Sequence, residues 1–244
     1  MPGRRLLLVF PHPDDETYGC GGSILKYVRE GVEVSLLTLT KGEASSQGPK
    51  RGLTRAQMGD MRAAEMHLLR DHYGLKDLFL LDFPDGALAG LDPRELERAV
   101  AETVRKVRPQ VVVSYPPHGV SGFIDHLVAH AVVKRVFAEL RESIGPLQRF
   151  AMQTVCRADA ELVPRRLFLE PDDAIDCAVD VSAFTEGRQI ALDIQESIRD
   201  VIAKDGAGGA LLRNFEHYSF WQEQYSPWVD DLFHGLDIND EAHP

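Results

Sequence analysis

His12, Asp14, Asp15 and Glu16 fall within five residues of one another in Phe10-Pro11-His12-Pro13-Asp14-Asp15-Glu16, directly after the apolar run Leu6-Leu7-Leu8-Val9. A histidine and three acids at a strand end are costly to bury and have no packing purpose. An imidazole nitrogen and a carboxylate oxygen both ligate divalent cations. A second carboxylate, held slightly apart, can take a proton from water activated at that cation. Catalytic zinc usually has three protein ligands and one open position, so one more ligand must come from elsewhere. His126 is the best candidate, in Gly122-Phe123-Ile124-Asp125-His126 after the run Val111-Val112-Val113-Ser114-Tyr115. His12, Asp15 and His126 then make an N, O, N set that suits zinc and tolerates some other divalent transition metals.

For these loops to converge, both must leave the carboxyl ends of neighbouring strands, where open α/β sheets place their ligand sites. Strand-like runs at 6–10, 32–40, 78–81 and 111–115 alternate with helical patterns at 22–29, 54–73, 93–108 and 125–141. Asp92 before Pro93 reads as an N-cap with proline at the first helical position, and Gly74 as a helix stop. Parallel pairing with right-handed crossovers follows. After Pro146 the pattern loosens: strands are expected at 150–155 and 174–181, a helix from Ser182 to about Ala203, a flexible stretch at 205–210 and a final helix over 216–225. The tail from Asp237 is expected to fray. The fold class is thus α/β and Rossmann-like, a mainly parallel sheet flanked by helices. It forms a single domain over 1–244, with the motif-bearing core at about 4–141 and a C-terminal extension of strands and helices over 146–236.

The net charge of −11, from 38 acidic against 27 basic residues, repels polyphosphate backbones and argues against nucleic acid as a partner. The apolar run before Pro11 is too short for a signal-peptide core or a membrane span, so no membrane association is expected. Cys20, Cys156 and Cys177 are odd in number and widely spaced, which fits a reducing, cytoplasmic location. The glycines at 19, 21 and 22 do not make a dinucleotide fingerprint, because acids occupy the turn where a pyrophosphate would sit.

These motifs resemble the LmbE-like, or PIG-L, family of zinc-dependent N-acetylglucosaminyl deacetylases, which carry His-Pro-Asp-Asp-Glu after the first strand. The similarity continues at Leu39-Thr40-Lys41-Gly42-Glu43, at Arg62 to Glu65, at Phe83-Pro84-Asp85-Gly86 and at Gly119 to His126. The resemblance implies that His12, Asp15 and His126 bind zinc and that Asp14 is the general base on metal-bound water. It further implies that Arg62 and Asp85 contact sugar hydroxyls of a small N-acetyl sugar. Glu16 and Asp125 are then supporting residues behind the ligands.

Two departures stand out. The family usually has a histidine three residues before the last metal histidine, where it steadies the oxyanion or protonates the leaving group; here that position is Phe123. His118 is the preferred substitute, ahead of His130. In a later helix the family's His-x-Ser-Gln is replaced by Leu192-Asp193-Ile194-Gln195. Two other readings therefore stay open: a member that binds metal and sugar with little or no turnover, and an amidase acting on a different small acylated amine such as a thiol conjugate. A homo-oligomer is left open as well.

Overall fold

The computed structural model describes residues 3–163, 166–199 and 213–238. In chain order the elements are β1 (Arg5–Phe10), α1 (Asp15–Arg29), β2 (Glu33–Thr40), the short α2 (Gln47–Lys50), α3 (Arg55–Tyr73), β3 (Asp77–Phe83), α4 (Pro93–Val107), β4 (Val111–Ser114), α5 (Ile124–Leu140), β5 (Arg149–Thr154), β6 (Cys177–Asp180), α6 (Thr185–Ile194) and β7 (Phe215–Phe220). The seven strands form one sheet in the order β3-β2-β1-β4-β5-β7-β6. Pairing is parallel from β3 through β5, and β7 runs antiparallel to both of its neighbours. The expected single-domain, mainly parallel α/β architecture is what forms.

β1 and β4 are apolar along nearly their whole length because helices cover both faces of the sheet, as parallel sheets require. Alternation of side chains then sorts each strand between two cores. Leu6, Leu8, Phe10, Val111 and Val113 pack with Cys20, Ile24 and Tyr27 of α1 and Met66, Leu69 and Tyr73 of α3. Leu7, Val9 and Val112 pack on the opposite face with Leu96, Val100 and Val104 of α4 and Val132, Val133 and Phe137 of α5. Local signals hold where expected. Thr54 and Gln57 form a capping box on α3, Gly74 ends it at φ 70, and Asp92 caps α4 by accepting from the Arg94 N–H.

Three sequence expectations are corrected. α1 starts at Asp15, not at residue 22, and carries three glycines in its first turns. A Cβ at Gly22 would lie 2.5 Å from Val181 and one at Gly19 2.7 Å from Gln153 Oε1, so close approach to the sheet outweighs poor helix propensity. The segment over 216–225 is not a helix, because its first half is strand β7. Glu216 accepts from the N–H groups of Gly22 and Ser23 at 2.9 and 2.7 Å, and the Tyr218 hydroxyl donates to Ser23 Oγ on the same side. The helix expected from Ser182 is a 3₁₀ turn followed by α6, which stops at Ile194. The stretch expected to be flexible at 205–210, and most of the tail, lie outside the described residues.

The chain runs β1, β2, β3 toward one edge and then returns to place β4 on the other side of β1. The carboxyl ends of β1 and β4 therefore border the crevice where strand order reverses, the usual ligand position in such sheets.

Candidate metal centre

The loop after β1 and the start of α1 deliver His12, Asp14 and Asp15; the loop after β4 and the start of α5 deliver Asp125 and His126. Donor atoms of His12, Asp15 and His126 lie within 4.8 Å of one another. His126 Nε2 is 3.4 Å from Asp15 Oδ1, and His12 Nδ1 is 3.5 Å from Asp15 Oδ2. The His126 Nδ1–H meets the Gly119 carbonyl at 2.9 Å, which leaves Nε2 bare and facing Asp15. Burial also lowers the His126 pKa and keeps the ring neutral, as a ligand must be. Burial would push Asp15 up, but His126, His12 and the Tyr115 hydroxyl hold it well below the usual carboxylate range.

His12 uses its other nitrogen differently. Its Nε2 lies 3.2 Å from Asp85 Oδ1 and 3.3 Å from Asp125 Oδ2. A histidine that offers one nitrogen to a metal commonly gives its other N–H to a carboxylate, which fixes the ring. His12, Asp85 and Asp125 also bring donor atoms together, and all three acids are already hydrogen-bonded: Asp15 Oδ2 accepts from the His12 backbone N–H at 2.9 Å and its Oδ1 from the Tyr115 hydroxyl. Asp125 accepts from the N–H groups of Gly86 and Leu88 at 2.8 and 3.2 Å, and Asp85 accepts from Ala44 at 2.7 Å. The chemistry of the first set fits a divalent cation with an N, O, N shell better.

Asp14 precedes α1 with φ 112, a region that non-glycine residues rarely adopt. Such strain costs on the order of 1–3 kcal/mol and persists where the surroundings impose it. Here Arg62 imposes it, donating from Nη2 to Asp14 Oδ2 at 2.7 Å and to the Pro13 carbonyl, and from Nη1 to the Gly42 carbonyl at 3.2 Å. Burial pushes the Asp14 carboxyl up to about 6, with the Arg62 guanidinium pulling the other way. Glu16, fully buried, rises to about 7 because of burial and the neighbouring Asp14. Its Oε1 accepts from Thr17 Oγ1 at 2.9 Å and from Gln195 Nε2 at 3.2 Å, and its Oε2 accepts from the Asp14 N–H at 3.2 Å. Glu16 thus braces the loop from behind, and Gln195, retained from the altered helix motif, braces Glu16.

One cavity of about 560 Å³ is lined by His12, Asp14, Asp15, Arg62, Asp85, Asp125 and His126 together. His118 is not among its wall residues. Its Nδ1 accepts from the Val120 N–H at 3.1 Å, and its Nε2 meets Glu170 at 2.8 Å. The preferred substitute for the family histidine is therefore occupied elsewhere. His130 is tied to the Tyr115 carbonyl at 2.9 Å. Phe123 does line the cavity, with its ring edge toward His126 at 5.6 Å between centroids.

Sequence reasoning missed Tyr115. Its hydroxyl donates to Asp15 Oδ1 at 2.6 Å, and its ring stacks on His126 at 4.2 Å. A tyrosine at the carboxyl end of the strand that leads to a ligand loop was the available signal.

The profile described as "GlcNAc-PI de-N-acetylase" matches residues 7–137. A 1D-myo-inositol 2-acetamido-2-deoxy-alpha-D-glucopyranoside deacetylase of Geodermatophilus obscurus is 31% identical, covering 96% of this chain and 99% of the relative. Among solved structures, the N,N'-diacetylchitobiose deacetylase of Pyrococcus horikoshii superposes with a TM-score of 0.71 at 19% identity, over 90% of this chain and 84% of that one. The 4-carboxy-2-hydroxymuconate hydratase of Pseudomonas putida superposes at 0.67 with 19% identity, over 91% and 98%, so the fold by itself does not fix the reaction. The extent of the profile match, together with a relative similar along nearly its whole length, shows that this chain belongs to the PIG-L family.

Proposed function

We propose that this chain is a zinc-dependent amide hydrolase that removes the N-acetyl group from a glucosamine-type sugar or small glycoside, with zinc held by His12, Asp15 and His126. The observation that carries the reading is Asp14. It is a half-buried carboxylate with a raised pKa, and it lines the same cavity as the N, O, N set without belonging to it. The relatives' activities agree, since the Geodermatophilus protein is named as a deacetylase of an acetamido sugar and the Pyrococcus protein as a chitobiose deacetylase.

A bound divalent cation supplies Lewis acidity, lowering the pKa of water and polarising the amide carbonyl. Asp14 takes the proton at Oδ1, the oxygen that Arg62 does not hold, and returns it to the departing amine. Tyr115 keeps Asp15 in place, while Asp85 and Asp125 fix the ring of His12. Arg62 and Asp85 border the polar side of the cavity, where sugar hydroxyls are accommodated. The three buried, unpaired cysteines suit a reducing cytoplasm, and no described helix is long and apolar enough to cross a membrane.

The test is amine release from N-acetylglucosamine, N,N'-diacetylchitobiose and an acetamido-glucosyl inositol by the zinc-loaded protein. Amine formation that a chelator abolishes and zinc restores supports the reading. Stoichiometric zinc without amine release from any of the three favours binding without turnover, the alternative motivated by Phe123 at the family's histidine position.

A further inference from the structure

The cavity wall changes character across the proposed ligands. Toward β2 and β3 it is polar, with Arg62, Asp85 and Ser45. Toward β4 and β5 it is largely apolar, with Gln153 of β5 and Ser121 as polar interruptions: Val120 follows β4, Val155 follows β5, and Val163 and Leu167 come from the connection to β6. Val120, Val155 and Val163 are fixed parts of the core beneath α1, with Leu167 packed against it. At the mouth the apolar surface continues through Phe123 and Ile124, which are 58% and 61% exposed. Phe168, 51% exposed, extends it, bonded through its N–H to the Val120 carbonyl at 2.8 Å. Scattered apolar residues on a surface need no explanation, but a continuous run from a buried wall to an exposed lip does.

An amide carries its nitrogen substituent on one side of the carbonyl carbon and its acyl substituent on the other. With sugar hydroxyls on the polar side, where their hydrogen bonds are met, the acyl group faces the valines. A cavity of about 560 Å³ lies in the range that takes drug-sized ligands and is far larger than an acetyl methyl and one sugar ring require.

We propose, resting on the amide-hydrolase reading above, that the preferred substrate is an amino sugar whose N-acyl group is an aliphatic chain longer than acetyl. Water adds across the amide: the carbonyl carbon gains a C–O bond, its C–N bond breaks, and the proton that Asp14 takes from water goes to the nitrogen. The products are a fatty carboxylate and the free amino sugar, and no further reactant is needed.

The test compares kcat/KM of the zinc-loaded chain on N-acetyl-, N-butyryl-, N-hexanoyl- and N-adipoyl-glucosamine and on octyl N-acetylglucosaminide. A fully buried methylene is worth about fourfold in binding. N-hexanoyl-glucosamine is therefore expected to exceed N-acetyl-glucosamine by at least about tenfold, through KM, because the chain contacts change little between ground and transition state. In Leu167→Gln, at a half-buried position, the hexanoyl-to-acetyl ratio is expected to fall by about fivefold or more. Equal or slower cleavage of the hexanoyl amide while the acetyl amide is turned over overturns the inference and spares the amide-hydrolase reading. So does a larger gain from the octyl glycoside, which would put the apolar wall on the aglycone. Arg166 and Arg213 also line the cavity, so a preference for adipoyl over hexanoyl overturns it too, in favour of an anionic acyl group. Cleavage of none of the five refutes the proposed function itself.

Discussion

The Arg62 guanidinium meets Asp14 Oδ2 at 2.7 Å and also holds the Pro13 carbonyl, so one side chain fixes both the position and the charge of the proposed base. Arg62 is itself buried and comes from α3, an element that contributes no metal donor. The proposed base is thereby separated from Asp15, the proposed ligand next to it in the chain.

Asp14→Asn is expected to keep stoichiometric zinc and to lose about 10²- to 10⁴-fold in kcat, the usual contribution of a general base. Metal analysis alongside steady-state rates checks this. Full activity in the variant would remove Asp14 from the mechanism.

The pH profile follows from the same group. The Asp14 carboxyl, pushed up to about 6 by burial, works as a base only when ionised, so activity is present above that value and falls as pH drops through it. A bound dication favours the ionised form, so the acid limb of the zinc enzyme is expected at or below about 6. Arg62 also lowers this pKa. Arg62→Gln is therefore expected to move the acid limb to higher pH as well as raise KM, whereas a purely structural role would leave the limb in place.

The limits of sequence reading are clearest at this centre. His12, Asp14 and Asp15 are contiguous, and their position after an apolar strand makes their chemistry readable. His126 follows from the second strand end. Tyr115, Gln195 and the Asp125 clasp on Gly86 and Leu88 are long-range contacts, which residue spacing does not encode. In β7 the buried charge of Glu216 broke the apolar pattern, although Glu216 and Tyr218 both face α1 with the two-residue period of a strand. The glycines of α1 pointed to a turn by propensity, and only contact with Val181 and Gln153 explains them.

Tyr115→Phe removes the 2.6 Å hydrogen bond to Asp15 while keeping the ring on His126. Zinc affinity is expected to fall about 10- to 100-fold, as for other residues that orient ligands. Competition with a chromophoric chelator measures it, and an unchanged affinity would show that Asp15 is positioned without the hydroxyl.

Phe123 lines the cavity where the family has a proton-bearing ring, and His118 is engaged with Glu170. Phe123→His is expected to raise kcat on N-acetyl-glucosamine by about tenfold or more, while His118→Gln changes it by less than about fivefold. A large loss in His118→Gln with no gain in Phe123→His would return the acid role to His118.

The central claim is that His12, Asp15 and His126, and not His12, Asp85 and Asp125, hold the metal. Zinc titration calorimetry on His126→Ala and Asp85→Asn decides between the two donor sets. His126→Ala is expected to lose stoichiometric binding and Asp85→Asn to keep it. The reverse order would contradict it.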